Sequence, residues 1–271
     1  MPGTLFVVAT PIGNLEDITL RALRVLREVK LIAAEDTRRT AHLLARHAIA
    51  TPTTSFHAHN EQRKTAQLLS RLRHGDDIAL VSDAGTPTIA DPGGPLIRAA
   101  MDAAIPVVPI PGPSAILAAL TASGVDGVDF TFLGFPPTRS KARDLWVRRL
   151  ARVEGTAVFF EAPHRIRQTL TELLGVLGDR EIFIGRELTK LHESSVKCQI
   201  SEAIESLEKP LGEFTVVINV GHMPDNSATP EPGEVDSRRQ VVSIVAKAHG
   251  LTANQLYRAI EDAKKSVKQP T

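Results

Sequence analysis

Four short stretches of this 271-residue chain carry side chains suited to holding and altering a small polar ligand, and each follows a short apolar run. Thr10-Pro11-Ile12-Gly13-Asn14 follows Leu5–Ala9, and Glu35-Asp36-Thr37-Arg38 follows Leu31–Ala34. Ser82-Asp83-Ala84-Gly85-Thr86-Pro87 opens a longer loop after Ile78–Val81, and Pro111-Gly112-Pro113-Ser114 follows Val107–Ile110. A Pro-x-Gly turn lets a ligand approach backbone amides closely, although a tight turn ahead of a helix would use the same residues. The stretch from Ser82 to Gly94 is harder to read as a connection. Its thirteen residues hold two Asp, three Gly and two Pro, too long and too polar for a simple strand-to-helix turn. Asp83, at the strand end, is placed to accept hydrogen bonds from ribose hydroxyls or an amine.

The common signatures of other chemistries are missing. The sequence contains no G-x-G-x-x-G, no G-x-x-x-x-G-K-[ST], no G-x-S-x-G and no H-E-x-x-H. Dinucleotide, P-loop, serine-hydrolase and zincin readings fail with them. His57 and His59 form the one close histidine pair and read as loop histidines beside Asn60-Glu61. His42 and His47 are five apart on an expected helix, a poor spacing for two ligands of one metal.

These loops need a frame. The first half alternates apolar runs with amphipathic stretches, which predicts a parallel sheet with helices on both faces. Leu20, Leu23, Leu26 and Val29 predict one helix face, Leu43 with Leu44 a second, and Leu68, Leu69 and Leu72 a third. Asp17 is placed to cap the helix beginning at Ile18. In open α/β sheets ligands bind outside the carboxyl ends of the strands, where all four loops lie. The pattern breaks at Ser123–Gly127, which sets a first α/β domain over 1–124 and a second over 125–222. The second is expected to have strands near Phe130–Leu133, Ala157–Phe160, Ile182–Ile184 and Thr215–Val220, with helices at Lys141–Leu150 and Arg165–Leu177. Residues 223–236 read as a Pro- and acid-rich linker, and 237–271 as a helical tail. Gly250 suits a helix end there and Thr252 an N-cap.

Length agrees, since roughly 100–200 residues per domain gives two domains. Hydrophobic residues at 42% and charged residues at 23% are those of a globular chain. Aromatics at 4% speak against the stacking platforms of a single-strand-binding module. A net charge of +1 means that any nucleic-acid contact must rest on local patches, and one cysteine, Cys198, excludes an internal disulfide framework. The apolar stretch Ile105–Leu120 is broken by four prolines, and Met1–Leu5 lacks a basic leader, so a cytoplasmic protein is expected.

The loops carry a family resemblance. ATPIGNLEDITLRAL (9–23), AAEDTR (33–38), HNE (59–61), ALVSDAGTPTIADPG (79–93), VVPIPGPSAILAAL (107–120), GF (134–135), FFEAPHRI (159–166), RELTK (186–190) and GEF (212–214) occur in the expected order. With them the chain resembles the tetrapyrrole methylase superfamily, and within it the 16S ribosomal RNA ribose 2′-O-methyltransferases that modify a cytidine of the decoding centre. The resemblance implies two α/β domains with S-adenosylmethionine (AdoMet) in the cleft between them, and a homodimer. It also implies that Ile12 and Gly13 approach the cofactor through backbone, that Asp83 and Thr86 lie on the cofactor loop, and that Ser114 and Ala115 make a further contact. Glu161, Arg186 and Thr215 would close over adenosine.

Methyl transfer to a ribose hydroxyl needs alignment of oxygen with the methyl carbon, and gains from a general base. The candidates are Glu35, Asp36, Glu61, Glu161, Glu187 and Lys190. Glu187 with Lys190 stands out, because three-residue spacing makes them neighbours on a helix and a desolvated lysine beside a carboxylate can act as a base. Asp36 is retained with them as a catalytic candidate, and no metal is required. RNA contacts are expected from Arg38 and Arg39 at the cleft mouth, where Arg38 is placed to hold phosphate or Asp36. A second basic run, Arg139, Lys141, Arg143, Arg148, Arg149 and Arg152, is opposed by Asp144 alone. A third lies in the tail, where seven basic residues face three acids between 236 and 268. The alternatives are a methylase of a small corrin precursor and a non-catalytic RNA-binding assembly factor. Bound AdoMet speaks against the second, and RNA binding by the tail against the first.

Overall fold

Burial of short apolar runs on both of their faces organises the first half of the chain. The computed structural model describes residues 1–125, 129–207, 210–221, 252 and 255. Strands β1 (Leu5–Val8), β2 (Leu31–Ala34), β3 (Thr53–Ser55), β4 (Ile78–Val81) and β5 (Val107–Ile110) form a parallel sheet in the order β3-β2-β4-β1-β5. Side chains of successive strand residues point to opposite faces. Ile78 and Leu80 therefore meet Leu68 and Leu72 of α3 (Glu61–Arg73) and Leu96 and Ala100 of α4 (Gly94–Asp102). Ala79 and Val81 meet Ala22, Val25 and Leu26 of α1 (Leu20–Glu28) and Leu43 and Leu44 of α2 (Thr37–Arg46). At about 1.5–3 kcal/mol for each fully buried large side chain, the aliphatic residues hold both faces, with Phe56 buried among them on one.

Two local expectations are corrected. Leu20 is 86% exposed, because the buried stripe of α1 runs through Ala22, Val25, Leu26 and the following Val29. The cap of α1 is Thr19, whose hydroxyl accepts from Ala22 N, and not Asp17, which ends a short 3-10 turn begun by Asn14.

The second half forms a mixed sheet of β6 (Phe130–Phe132), β7 (Thr156–Glu161), β8 (Glu181–Arg186), β9 (Ser194–Gln199) and β10 (Phe214–Asn219). Its order is β6-β7-β10-β8-β9, and only the β6–β7 pair is parallel. One face packs Phe159, Ile184, Phe214 and Val216 against α6 (Ser140–Leu150), α7 (Ile166–Leu177) and α8 (Ile200–Ser206). The other face takes α5 (Ala115–Ser123), which follows β5 in sequence. Ile116, Ala119 and Leu120 of α5 pack on Val158, Phe183 and Val217. α5 ends at Ser123, within the expected 1–124 segment, and packs on the second sheet; Met1–Met223 forms one compact unit. Among the described residues no helix is long and apolar enough to cross a membrane.

The linker at 223–236 and most of the expected tail, 237–271, lie outside the described residues. Thr252 and Gln255 are described, and they show a reciprocal cap. Thr252 N donates to Gln255 Oε1 at 2.8 Å, and Gln255 N donates to Thr252 Oγ1 at 3.4 Å.

Candidate active site

The loops at the carboxyl ends of β1, β4 and β5 meet one face of the second sheet around a cavity of about 690 Å³. That volume falls in the range of small-ligand sites, about 300–1,000 Å³. The first and third loops are fastened together, since Thr10 N donates to Gly85 O at 2.9 Å and Gly85 N to Thr10 O at 3.0 Å. Gly85 has φ +79, a conformation glycine adopts without strain, and a Cβ there would lie 3.5 Å from Ile12 Cγ2. The far end of the loop is held by Glu61, whose Oε1 accepts from Gly93 N at 2.8 Å. Between these clamps Thr88 and Ala90 are held at φ +72 and +69. Non-glycine residues persist in that region only when their surroundings over-determine them, often at ligand sites.

The cavity has two characters. Phe132, Phe135 and Phe160 build an aromatic wall, with the Phe160 ring centroid 4.9 Å from Phe132 and 5.4 Å from Phe135. Opposed in chemistry are the carboxylates of Asp91, Glu187 and Glu213, with the ammonium of Lys190, while the fourth carboxylate of the lining, Glu161, is buried. Burial pushes the Asp91 carboxyl up to about 6, with the nearby charges of Glu35 and Asp83 acting in the same sense and a hydrogen bond from Ser82 against it.

Glu187, Lys190 and Glu213 form one cluster. Lys190 Nζ donates to Glu187 Oε1 at 2.9 Å and to Glu213 Oε2 at 3.0 Å, and Glu213 N donates to Glu187 Oε1 at 2.8 Å. The pair lies in a turn after β8 and not on a helix as expected, with Glu187 at φ +51 and Thr189 at φ +67. Two glycines make room for it. A Cβ on Gly212 would lie 2.3 Å from Glu187 Cγ, and one on Gly13 would lie 2.4 Å from Lys190 Cγ. Asn14 N also donates to Thr189 Oγ1 at 3.1 Å, joining the loop after β1 to this turn.

The charges within the cluster run against one expectation. Burial works to lower the Lys190 pKa, but the hydrogen bonds to Glu187 and Glu213 outweigh it and hold the ammonium above the usual lysine range. A lysine so held is a cation and not a base. The same bond from Lys190 keeps Glu187 below the usual carboxylate range, so it stays ionised.

Ile12, Thr86, Ser114, Ala115, Glu161 and Thr215 line the cavity, as do Glu187 and Lys190. Ser114 also caps α5, accepting from Leu117 N. Gly13, Asp83 and Arg186 are outside the lining. Gly13 lies against Lys190, and Arg186 Nε donates to Leu211 O at 2.6 Å. Asp83 turns away to accept from Asp36 N at 2.9 Å and to face Arg39 Nη1 at 3.6 Å. Asp36 is also outside the lining; its carboxylate caps α2 through Arg38 N and pairs with the Arg38 side chain at 3.0 Å. The hydrogen bonds from Arg38 draw its pKa down to about 2. Glu161 is fully buried and bonded to Arg165 at 2.7 Å and to Thr169 Oγ1 at 2.5 Å.

Of the expected RNA-facing residues, Arg38, Arg39, Arg139, Lys141 and Arg148 are exposed. Arg143 is corrected. Its side chain turns inward to Glu172 Oε2 at 2.7 Å and Thr169 Oγ1 at 2.7 Å, fastening α6 to α7. Asp91, Phe132, Phe135 and Glu213 were not singled out from sequence. Asp91 shares its loop with Asp83, the Gly134-Phe135 and Gly212-Glu213-Phe214 runs are the signals that could have found Phe135 and Glu213, and Phe132 lies on the strand expected near Phe130–Leu133.

Comparisons with known proteins agree with this frame. Residues 4–204 match the family profile described as Tetrapyrrole (Corrin/Porphyrin) Methylases. A ribosomal RNA small subunit methyltransferase I of Thermotoga maritima is 48% identical over 219 residues, covering 80% of this chain and 98% of the relative. The protein of the same name from Synechocystis sp. is 45% identical over 266 residues, covering 97% and 94%. A crystal structure of uroporphyrin-III C-methyl transferase from Thermus thermophilus, complexed with S-adenyl homocysteine, superposes with TM-score 0.57 at 21% identity, covering 80% of this chain and 98% of that one. With the two sheets and the loops between them in view, these matches place the chain in the tetrapyrrole methylase family, among the ribosomal RNA small subunit methyltransferases I.

Proposed function

We propose that this AdoMet-dependent methyltransferase transfers a methyl group to the ribose 2′-hydroxyl of a cytidine in the decoding centre of 16S ribosomal RNA. The observation that carries the cofactor reading is the division of the cavity between an aromatic wall and a carboxylate cluster. An adenine suits the wall, and a cationic amino-acid portion suits Asp91 and Glu213. Phe132, Phe135 and Phe160 would hold the base by offset and edge contacts. Ser114, Thr86 and Thr215 offer hydroxyls, and Ile12 and Ala115 close the apolar floor. When bound, the cofactor would supply a methyl group activated by its sulfonium.

The chain's share is alignment and proton removal. Glu187 takes two hydrogen bonds on Oε1, which leaves Oε2 without a partner among the described residues. We assign it as the proton acceptor, with Lys190 fixing its position and charge. General-base assistance of this kind is worth about 10²–10⁴-fold. Arg38 and Arg39 at the ends of the first sheet, and Arg139, Lys141 and Arg148 on α6, supply phosphate contacts. We place the protein in the cytoplasm with its substrate, the small ribosomal subunit, and expect a homodimer, measurable by light scattering.

The reading is tested by methyl transfer from labelled AdoMet to unmethylated small subunits, with ribose methylation mapped by nucleotide. A single 2′-O-methyl at a decoding-centre cytidine supports it. Transfer to a corrin precursor, or cofactor binding without transfer to RNA, overturns it.

A further inference from the structure

The second sheet ends at strand β6, and the two sides of that short edge strand face different sites. Phe130 and Phe132 line the large cavity, while Thr131, between them, lines a separate cavity of about 580 Å³. The alternation follows from the pleat of the strand. The second cavity is walled by Leu145, Arg148, Arg149 and Arg152, with Val153 and Glu154 completing it. All three arginines are exposed, and none has an acidic partner within 4.0 Å among the ion pairs of the described residues. Three arginines against the single carboxylate of Glu154 leave the hollow net positive, and their mutual repulsion is what an anionic polymer would relieve. Arg143, one turn earlier, is instead committed to Glu172 and Thr169, so α6 carries its cations on a fixed support.

Phe130 is 39% exposed at the lip of the large cavity, and Leu145 is 68% exposed beside the arginines. Apolar surface and positive charge thus alternate across one strand width. Single-stranded nucleic acid has that pattern of bases and phosphates, and proteins hold it with aromatic platforms beside basic grooves. A folded acidic protein would not need a stacking ring at the edge of the reaction cavity.

We infer that RNA leaving the cavity passes over strand β6, with a base beside the acceptor nucleotide stacked on Phe130 and the following phosphates seated on Arg148, Arg149 and Arg152. The inference rests on the RNA reading above and adds the route of the strand and two residues, Arg149 and Arg152, outside the contacts assigned there.

The test is fluorescence anisotropy of the full chain with a labelled single-stranded decoding-centre RNA across a salt series, with cofactor affinity followed by calorimetry. Each phosphate contact contributes about 0.7 to the slope of log K against log salt for single strands. The triple variant R148A/R149A/R152A should lower that slope by about 2 and leave AdoMet affinity and Tm unchanged. R148K/R149K/R152K, which keeps the charge, should restore most of the slope. Phe130→Ala should weaken RNA binding about tenfold at every salt concentration with the slope unaltered. An unchanged slope in the alanine variant, with the parent still binding and methylating RNA, overturns the β6 route alone. A parent that neither binds the RNA nor methylates small subunits overturns the RNA reading, and the route with it.

Discussion

Gly13→Ala is an informative single perturbation, because the sequence gives a bland reason for the glycine and the structure gives a specific one. The added Cβ would lie 2.4 Å from Lys190 Cγ, 2.7 Å from Thr189 Oγ1 and 3.1 Å from Leu188 O. Lys190 cannot yield at its stem without shifting the ammonium that bridges Glu187 at 2.9 Å and Glu213 at 3.0 Å. Overpacking of this kind costs about 1–3 kcal/mol. In a unit of this size each kcal/mol lowers Tm by about 2–4 °C. Denaturant titration of Gly13→Ala, Lys190→Ala and the double variant separates causes. Lys190→Ala has no Cγ, so the closest clash disappears, and the double variant should be more stable than the sum of the single losses by about 1 kcal/mol. Strictly additive losses, or a Gly13→Ala protein as stable as its parent, would refute the reasoning that Gly13 exists to admit the Lys190 side chain.

Other consequences are as direct. The Asp91 carboxyl, raised by burial to about 6 from 3.8, should be neutral in mildly acid solution. Its fold binds a proton that the unfolded chain releases between those values, so its term favours folding increasingly as pH falls through that window. Affinity for a cationic cofactor should run the other way, weakening as pH falls through about 6, with that step missing in Asp91→Asn; calorimetry between pH 5 and 8 reads both. Thr169→Val removes the hydroxyl between Glu161 and Arg143 and should destabilise by about 1–3 kcal/mol, with Thr169→Ser close to the parent in urea titration. Gly93→Ala faces φ +133 and a Cβ 2.7 Å from Leu80 Cδ2, and should cost about 1–3 kcal/mol while loosening the loop that carries Asp91. Thermal melts with and without AdoMet check it.

The sequence was most informative where both faces of a strand are covered. Leu5–Val8, Leu31–Ala34 and Ile78–Val81 read as strands because central parallel strands are continuously apolar, and they fold as such. Thr53–Ser55 and Ser194–Gln199 escaped notice because edge strands, half wet, carry polar residues without a period. Loop composition pointed to the site, but direction did not follow from it. Asp83 and Asp91 share one polar loop, and only the clamps at Gly85 and Gly93 decide that Asp91 reaches the cavity. Glu187 and Lys190 do meet, through a left-handed turn whose residue types give no sign of it. Arg143 shows the same limit on a helix, where one basic residue among several turns inward because Glu172 and Thr169 wait there. Aromatics at 4% looked too few to matter, yet three of them share one wall.

The place of α5 bears on how far such a chain can be taken apart. Its residues belong by succession to the first sheet and by contact to the second, where Ile116, Ala119 and Leu120 cover Val158, Phe183 and Val217. A cut at Gly124 would not liberate two modules. One fragment would carry an apolar helix with nothing to rest on, and the other a bare hydrophobic sheet, each sticky until reunited. Chimaeras that exchange halves between related proteins should therefore be joined ahead of Ser114, so that the helix travels with the surface it covers.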